Sequence, residues 1–142
     1  MPDRHHAGSA GPHHIFPEST STFLRGDGTF ARDLPVVVAM TDATSFTPTS
    51  DTADINTQAN TQAIGTLTAN APSGTPVNGQ VLELVIKSTN VQTFSWNAIY
   101  VGCTTTALPA ATTGATKTDK LWFQYHSGVT KWQLFNAQLG YT

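Results

Sequence analysis

Charged residues make up only 11% of this 142-residue chain, against roughly a quarter in typical soluble domains. The net charge is −2 and no basic run occurs. The electrostatic attraction that dominates nucleic-acid binding is therefore missing, and we expect no nucleic-acid partner. Threonine, serine, alanine and asparagine are abundant instead. This composition favours β-structure whose uncharged polar faces pack against copies or partners, because desolvating them costs less than desolvating charges.

Cysteine and long apolar runs are scarce as well. The single cysteine, Cys103, excludes an internal disulfide. We expect it to be a small buried residue on a strand, because no neighbouring histidine activates it as a nucleophile. No run approaches the about 18 apolar residues of a membrane span, and no apolar signal segment follows the N-terminus. The sequence predicts no membrane partner and synthesis in a cytosol without a cleaved signal.

Short β-like runs recur at spacings of about ten residues, which is typical of β-sandwiches and jelly rolls. The clearest run places Leu82, Leu84 and Ile86 on one face. The predicted strands are Pro35–Thr41 (buried), Ala63–Ala69, Gln80–Ser88, Gln92–Trp96, Ile99–Cys103, Lys120–His126 and Lys131–Leu139. We predict an all-β fold, an antiparallel β-sandwich or jelly-roll-like body whose edge strands are hidden by oligomerisation.

The segment between the first two predicted strands, residues 41–60, is rich in Thr, Ser, Asp and Asn. Its acids Asp42, Asp51 and Asp54 do not have the spacing of a calcium-binding loop. We expect a solvated loop or irregular edge structure there.

Residues 1–21 form a segment rich in His, Gly and Pro that cannot build a core, and alone in water it is expected to be disordered. We predict an extended arm that contacts another subunit through its histidines and its only strongly apolar residues: His5, His6, His13, His14, Ile15 and Phe16. No cysteine or acidic cluster completes a metal-ligand set beside the histidines. We therefore predict no metal and no cofactor.

Residues 22–35 are predicted to be a joint between this arm and a β-body over residues 36–142. The Gly26-Asp27-Gly28 sequence permits a tight reversal, with Asp27 capping backbone N–H groups. The reversal is expected to bring Phe23 and Phe30 together. The joint and interface residues are Phe23, Leu24, Arg25, Gly26, Asp27, Gly28, Thr29 and Phe30.

Few residues in the sequence indicate catalysis or ligand binding. His126 at a strand end has no Ser or Cys partner, and we expect a polar residue at a hairpin rim rather than a catalytic base. The tripeptide Arg25-Gly26-Asp27 has the integrin-type sequence, but its neighbours indicate a turn. The aromatic residues Trp96, Trp122, Tyr125 and Trp132 could form a carbohydrate platform or fill the core. Because they lie on alternating strands, we expect core filling and no enzyme activity.

Two stretches resemble a known class of proteins. The segment Ser21-Thr22-Phe23-Leu24-Arg25-Gly26-Asp27-Gly28-Thr29-Phe30-Ala31 is similar to a run that recurs before the C-terminal domains of tail fibres, head fibres and capsid decoration proteins of tailed bacteriophages. Residues 67–80, residues 94–100 and the closing segments 121–126 and 131–134 also look like those domains. The resemblance covers about residues 21–139.

This resemblance implies a trimeric, non-enzymatic virion structural protein made in the bacterial host cytoplasm. The chain has neither the shaft nor the tail-attachment domain of a long fibre, so a capsid decoration (cement) protein is expected on the outside of the head. Its partners would then be the major capsid protein and its own copies. The alternative is a tail-fibre or head-fibre module that binds a host-surface receptor or glycan.

Overall fold

The computed structural model describes residues 35–142 throughout, and before them only the backbone of residues 22–24 and 30–32. The chain divides into two units, residues 1–34 and residues 35–142. In the first unit, β1 (Thr22–Leu24) and β2 (Phe30–Arg32) pair antiparallel. The chain therefore reverses direction between β1 and β2.

The second unit is built from strands, and no helix lies within its residues. The strands are β3 (Val37–Met40), β4 (Ser45–Phe46), β5 (Ile55–Asn60), β6 (Gly65–Ala69), β7 (Val81–Ser88), β8 (Gln92–Trp96), β9 (Tyr100–Val101), β10 (Lys117–His126) and β11 (Lys131–Tyr141). Across the part of the chain that is described, there is no helix long and apolar enough to cross a membrane.

The strands form a six-stranded sheet in the order β3-β5-β7-β10-β11-β9 and a three-stranded sheet in the order β4-β6-β8. From β3 to β8 the chain alternates between the two sheets, so that successive strand pairs stack as turns of a coil. Neighbours within each sheet are parallel along this coil, and β9 also pairs parallel with β11. Only β7, β10 and β11 pair antiparallel within the six-stranded sheet.

The all-β class is confirmed, but the sheets of the body are mixed, and the antiparallel arrangement that we predicted holds there only for β7, β10 and β11. Parallel neighbours in one sheet require a crossover connection. Here the crossover is a strand of the opposite sheet, so the connections remain short. In the sequence such short, turn-rich connections look like those of antiparallel hairpins.

The core lies between the two sheets. Leu82, Leu84 and Ile86 of β7 are fully buried, which confirms the face predicted from their alternation. The other members of the same cluster are Phe46, Leu67, Ala69 and Phe94 of the small sheet and Tyr100, Leu121, Phe123, Trp132 and Leu134 of the large sheet. One continuous apolar interior therefore holds the sheets together.

The segment predicted as a solvated loop contains a buried strand, β5. Its inward side chains are Asn56, Gln58 and Asn60, at most 2% exposed. Gln58 Nε2 donates to the carbonyl oxygens of Thr41 (2.9 Å) and Ala43 (3.2 Å), and Asn60 Nδ2 donates to that of Ala43 at 3.0 Å. The amides thus bind the backbone of the β3–β4 connection, which satisfies polar groups that the sheets leave unpaired.

The closing hairpin was predicted correctly. Val129 N–H donates to the His126 carbonyl at 3.3 Å, and Thr130 adopts a φ of 52°. Two irregularities interrupt the β10–β11 register. At the one nearer the end of β11, Leu139 and Gly140 lie opposite the single residue Asp119, so β11 carries one extra residue. Gly140 has a φ of 82°, a conformation that glycine adopts without strain.

Candidate interaction surfaces

The arm and most of the joint lie outside the described residues. This applies to all six arm positions (His5, His6, His13, His14, Ile15 and Phe16) and to joint residues 25–29. In the β1–β2 pair the backbone register places Leu24 opposite Phe30 and Phe23 opposite Ala31. The side chains of Phe23 and Phe30 lie outside what the structure describes, so their expected contact stays a prediction.

Three of the four singled-out aromatic side chains pack against the interior, as predicted. Trp132 is fully buried, and the Tyr125 ring lies 5.2 Å from it. Trp96 stacks on Phe94 at 4.6 Å between ring centroids, and its Nε1 donates to the Pro109 carbonyl at 2.8 Å. These indoles are committed to the core and are not free to form a sugar-binding platform.

Trp122 is different, because it lies on the outer face of the six-stranded sheet. Its neighbours in register are Glu83 on β7 and Asn136 on β11. The half-buried indole lines a cleft of about 370 Å³ together with Ile55, Val81 and Glu83. An aromatic side chain beside a carboxylate could take a ligand that offers both an apolar face and hydroxyl groups.

The outer face of the large sheet carries the charged side chains of Glu83, Lys87 and Lys120 as well as apolar ones. Phe135, which lies at the first register irregularity of β11, is 54% exposed, and Leu139 is 50% exposed. At the same end of β11, Lys120 Nζ lies 5.3 Å from the centroid of the Tyr141 ring. Phe135 and Leu139 are thus exposed apolar side chains that could each contact another molecule.

The edge of the large sheet is formed by β3, which was predicted to be a buried strand. It pairs only with β5, and Val37 is 58% exposed. Between β3 and β4 lies a cleft of about 340 Å³, which we call the β3–β4 cleft; its lining includes Ala39, Met40, Phe46 and Asn56. An apolar run bounded by turn residues does not distinguish a central strand from an edge strand, which explains the error.

Asp119 is a buried carboxylate that holds two chain segments together. It is 0% exposed. It accepts hydrogen bonds from Thr113 N at 2.7 Å, Thr113 Oγ1 at 2.5 Å and Gly140 N at 2.9 Å. The last bond satisfies an N–H group at the β11 irregularity. We assign Asp119 a structural role, because all three of these donors are groups of the protein itself.

The acids of residues 41–60 are exposed, as expected, but they also anchor backbone. Asp42 accepts hydrogen bonds from the Thr61 side chain, Gln62 Nε2 (3.0 Å) and Thr61 N (3.0 Å). These bonds, the one from the Thr61 hydroxyl foremost, lower the pKa of Asp42. Asp54 accepts from Val36 N at 2.7 Å. Within residues 35–142, no three His, Cys, Asp or Glu side chains form a group able to hold a metal ion.

Cys103 was predicted to be buried on a strand, and this is wrong. It lies exposed in the loop after β9. Its Sγ is 3.3 Å from Thr105 Oγ1 and accepts from Thr106 N at 3.3 Å. These hydrogen bonds, that of Thr105 foremost, lower the pKa of the thiol to about 7. The surrounding Gly-Cys-Thr-Thr-Thr sequence offers no large apolar neighbours, which is the signal that could have indicated a loop.

His126 is exposed at the end of β10, next to the closing turn, where the sequence placed it at a hairpin rim. Its backbone carbonyl accepts the turn hydrogen bond from Val129.

Comparison with known proteins adds no further assignment: no protein-family model, no curated protein sequence and no solved structure matches this chain.

Proposed function

We propose that this protein is a non-enzymatic structural protein of a tailed-bacteriophage virion. In this proposal it is a decoration protein that binds the outside of the head and stabilises it. The observation that carries the proposal is the phage-like sequence over residues 21–31, together with the similar segments 67–80 and 121–134. These segments include the joint before the β-body and the closing hairpin.

The internal construction of the body supports a structural role. Its buried polar side chains, such as Asn56, Asn60 and Asp119, hold the protein's own connections in place. Satisfied buried polar networks make a fold rigid and specific. A rigid body with few surface charges is suited to close packing on a shell of repeated subunits.

In this proposal the N-terminal unit attaches the protein and the β-body is what it attaches. Residues 1–21 attach to the major capsid protein, residues 22–35 redirect the chain, and the body projects from the shell. Copies of the protein associate as a homotrimer. Attachment relies on arm burial and on strand or loop packing, because only 11% of the residues are charged.

The direct test is reconstitution on capsids that lack the protein. Full-length protein should saturate the capsids and raise the temperature at which they release their genome, whereas a variant without residues 1–21 should not bind. An Ile15→Asp/Phe16→Asp variant should bind weakly, and a Ser19→Asp/Thr20→Asp variant, which adds the same charges at arm positions without a predicted contact, serves as the matched control. Complete decoration by the truncated protein would contradict the proposed role of the arm.

The joint can be tested separately in the same assay. A Gly26→Val/Gly28→Val variant removes the two glycines that permit the reversal. We expect it to fold its body normally, as judged by circular dichroism, but to decorate capsids poorly. Normal decoration by this double variant would show that the reversal does not depend on these glycines.

One observation favours the alternative, a fibre module that binds host-surface glycan. The cleft at Trp122 places a half-buried indole next to the Glu83 carboxylate. The fibre hypothesis predicts binding to at least one saccharide on a glycan array, with loss of that signal in Trp122→Ala and retention in Tyr141→Ala. Silence of the wild-type protein on an array of host surface glycans would remove this alternative.

A further inference from the structure

The outer face of the large sheet holds a half-buried carboxylate to which residues 35–142 offer no partner. Glu83 lies on β7, and its side chain is half-buried. Within the described part of the chain, this side chain takes part in no hydrogen bond and no ion pair. A partly buried charge is costly unless an opposite charge or hydrogen-bond donors compensate for it. The Glu83 carboxylate is therefore suited to accept a cation.

The lysines of the same sheet face do not supply this cation. Lys120 is a diagonal neighbour of Glu83, but its Nζ lies 5.3 Å from the centroid of the Tyr141 ring. Tyr141 belongs to β11, on the other side of β10 from β7. Lys87 follows Glu83 by four residues on β7, which is roughly 13 Å along a strand. The negative charge of Glu83 is thus left for another cation.

The cleft beside Glu83 adds an aromatic face and apolar walls. Ile55, Glu83 and Trp122 lie side by side across β5, β7 and β10. All three line the cleft of about 370 Å³, which we call the Trp122 cleft, and Val81 lines it as well. The Asp54 carboxylate brings a second negative charge to its lining. No described lining residue carries a positive charge.

These features favour a guanidinium group over other ligands. Among the aromatic side chains, an indole attracts cations most strongly. A guanidinium is planar, so it can stack on the indole while its N–H edge donates two hydrogen bonds to a carboxylate. It is also less strongly hydrated than an ammonium group, so it enters a half-buried cleft with apolar walls at a lower cost. Acidic ligands are disfavoured, because the lining carboxylates repel them.

We propose that the Trp122 cleft binds the guanidinium group of an arginine side chain, stacked on the Trp122 indole and paired with the Glu83 carboxylate. The inference does not depend on the virion function, because it follows from the lining of the cleft alone. It also differs from the binding of a neutral saccharide. A saccharide needs the carboxylate oxygens only as hydrogen-bond acceptors, whereas a guanidinium also needs the negative charge.

The test is an NMR titration of the full chain with blocked amino acids. The arginine probe is N-acetyl-argininamide, and binding is followed through the indole N–H signal of Trp122, which the spectrum of a Trp122→Phe variant assigns. N-acetyl-citrullinamide is the matched neutral probe, because it has nearly the same shape without the charge. We expect a saturable shift with the arginine probe at millimolar concentration, weaker binding of N-acetyl-lysinamide and no saturable shift with the citrulline probe.

Two charge-removing variants separate the cleft from the general charge of the protein. Glu83→Gln keeps the size of the side chain and should weaken binding of the arginine probe at least about tenfold, because hydrogen bonds to a charged group are lost. Asp42→Asn is the control, since Asp42 accepts from Thr61 N at 3.0 Å just after β5, whereas the cleft lies at the start of β5. It should bind the probe like wild type. Amide spectra establish that both variants are folded.

A second arm identifies where the arginine comes from. The chain's own arginines are Arg4, Arg25 and Arg32, and a variant with all three replaced by glutamine is titrated beside wild type. Probe binding by wild type shows a site open to another molecule, and binding by the triple variant alone shows a site that the chain's own arginine fills. Both results support the guanidinium site.

Three results would overturn the proposal. The first is the absence of a saturable shift with the arginine probe in both wild type and the triple variant. The second is equal binding of the arginine and citrulline probes, and the third is equal binding of the arginine probe by Glu83→Gln and by the better-binding parent protein. The second and third would mean that the cleft takes a neutral ligand. Capsid decoration is scored in a separate assay, so its failure leaves this outcome unchanged.

Discussion

Replacement of Asp119 by alanine should destabilise the body severely, because its carboxylate is fully buried and bonded to two segments. The change removes the acceptor for Thr113 N and Gly140 N, at 2.7 Å and 2.9 Å, and for the Thr113 hydroxyl. Hydrogen bonds to a charged group are worth about 1.5–3 kcal/mol each. Two N–H groups left without an acceptor give a loss of about 3–6 kcal/mol in the free energy of unfolding. The lower end of this range applies, because Thr113 and Gly140 are half-buried and allow water to enter.

The expected loss is therefore about 3 kcal/mol, which corresponds to a decrease in Tm of about 10–20 °C for a domain of this size. Asp119→Asn keeps one acceptor oxygen but points an NH₂ group at a donor, so it should lose about half as much. Urea denaturation gives the free energy of unfolding and the m value. Lys87→Ala, an exposed change on the outer sheet face, is the control and should stay within about 0.5 kcal/mol.

The reasoning would be refuted if Asp119→Ala were no less stable than Lys87→Ala. It would also be refuted if the Asn and Ala variants lost the same amount of stability, because the bonds to the remaining oxygen would then contribute nothing. A lower m value in Asp119→Ala would indicate that the end of β11 has separated from the sheet instead.

Two further predictions concern the loop after β9 and the core. Alkylation of Cys103 by iodoacetamide should rise with pH with a midpoint near 7, below the about 8.5 of an ordinary thiol, and Thr105→Val should move the midpoint upward; an unchanged midpoint would show that Thr105 does not set the thiol's acidity. Leu84→Ala, at a position 0% exposed, should cost about 2–5 kcal/mol in urea denaturation, and a loss below about 1 kcal/mol would contradict its place in a closely packed core.

The parts of the fold that could be predicted from sequence are those where burial and apolarity coincide. In β7, Leu82, Leu84 and Ile86 alternate with polar or less buried residues, and all three are buried as the pattern indicates. In β11, Trp132 and Leu134 follow the same rule. Hydrophobic alternation reports which side of a strand faces the core, and here it was sufficient.

The same rule failed for β5, because its inward residues are amides. Asn56, Gln58 and Asn60 alternate with Ile55, Thr57 and Ala59, so the apolar residues lie on the side away from the small sheet. A polar strand is stable there only because nearby carbonyl groups accept its amide hydrogens. Those partners come from residues 41–49, and no local pattern reveals them.

The directions of neighbouring strands and the position of the sheet edge likewise could not be predicted from the sequence. Alternation identifies a strand but not its neighbours, so the coil of parallel strands was mistaken for an antiparallel sandwich. The exposed edge at Val37–Met40 was mistaken for a buried strand for the same reason. An apolar run can be buried by the protein's own sheet or left for a partner, and the choice depends on which strand pairs beside it.

The most direct test of the virion proposal is a cryo-electron microscopy reconstruction of the complete particle. The account predicts β-rich density that fits residues 35–142 at repeated positions on the outside of the head, with the N-terminal arm running onto the capsid protein. Density for this body at the tail tip, or its absence from purified particles, would contradict the assignment as a head decoration protein.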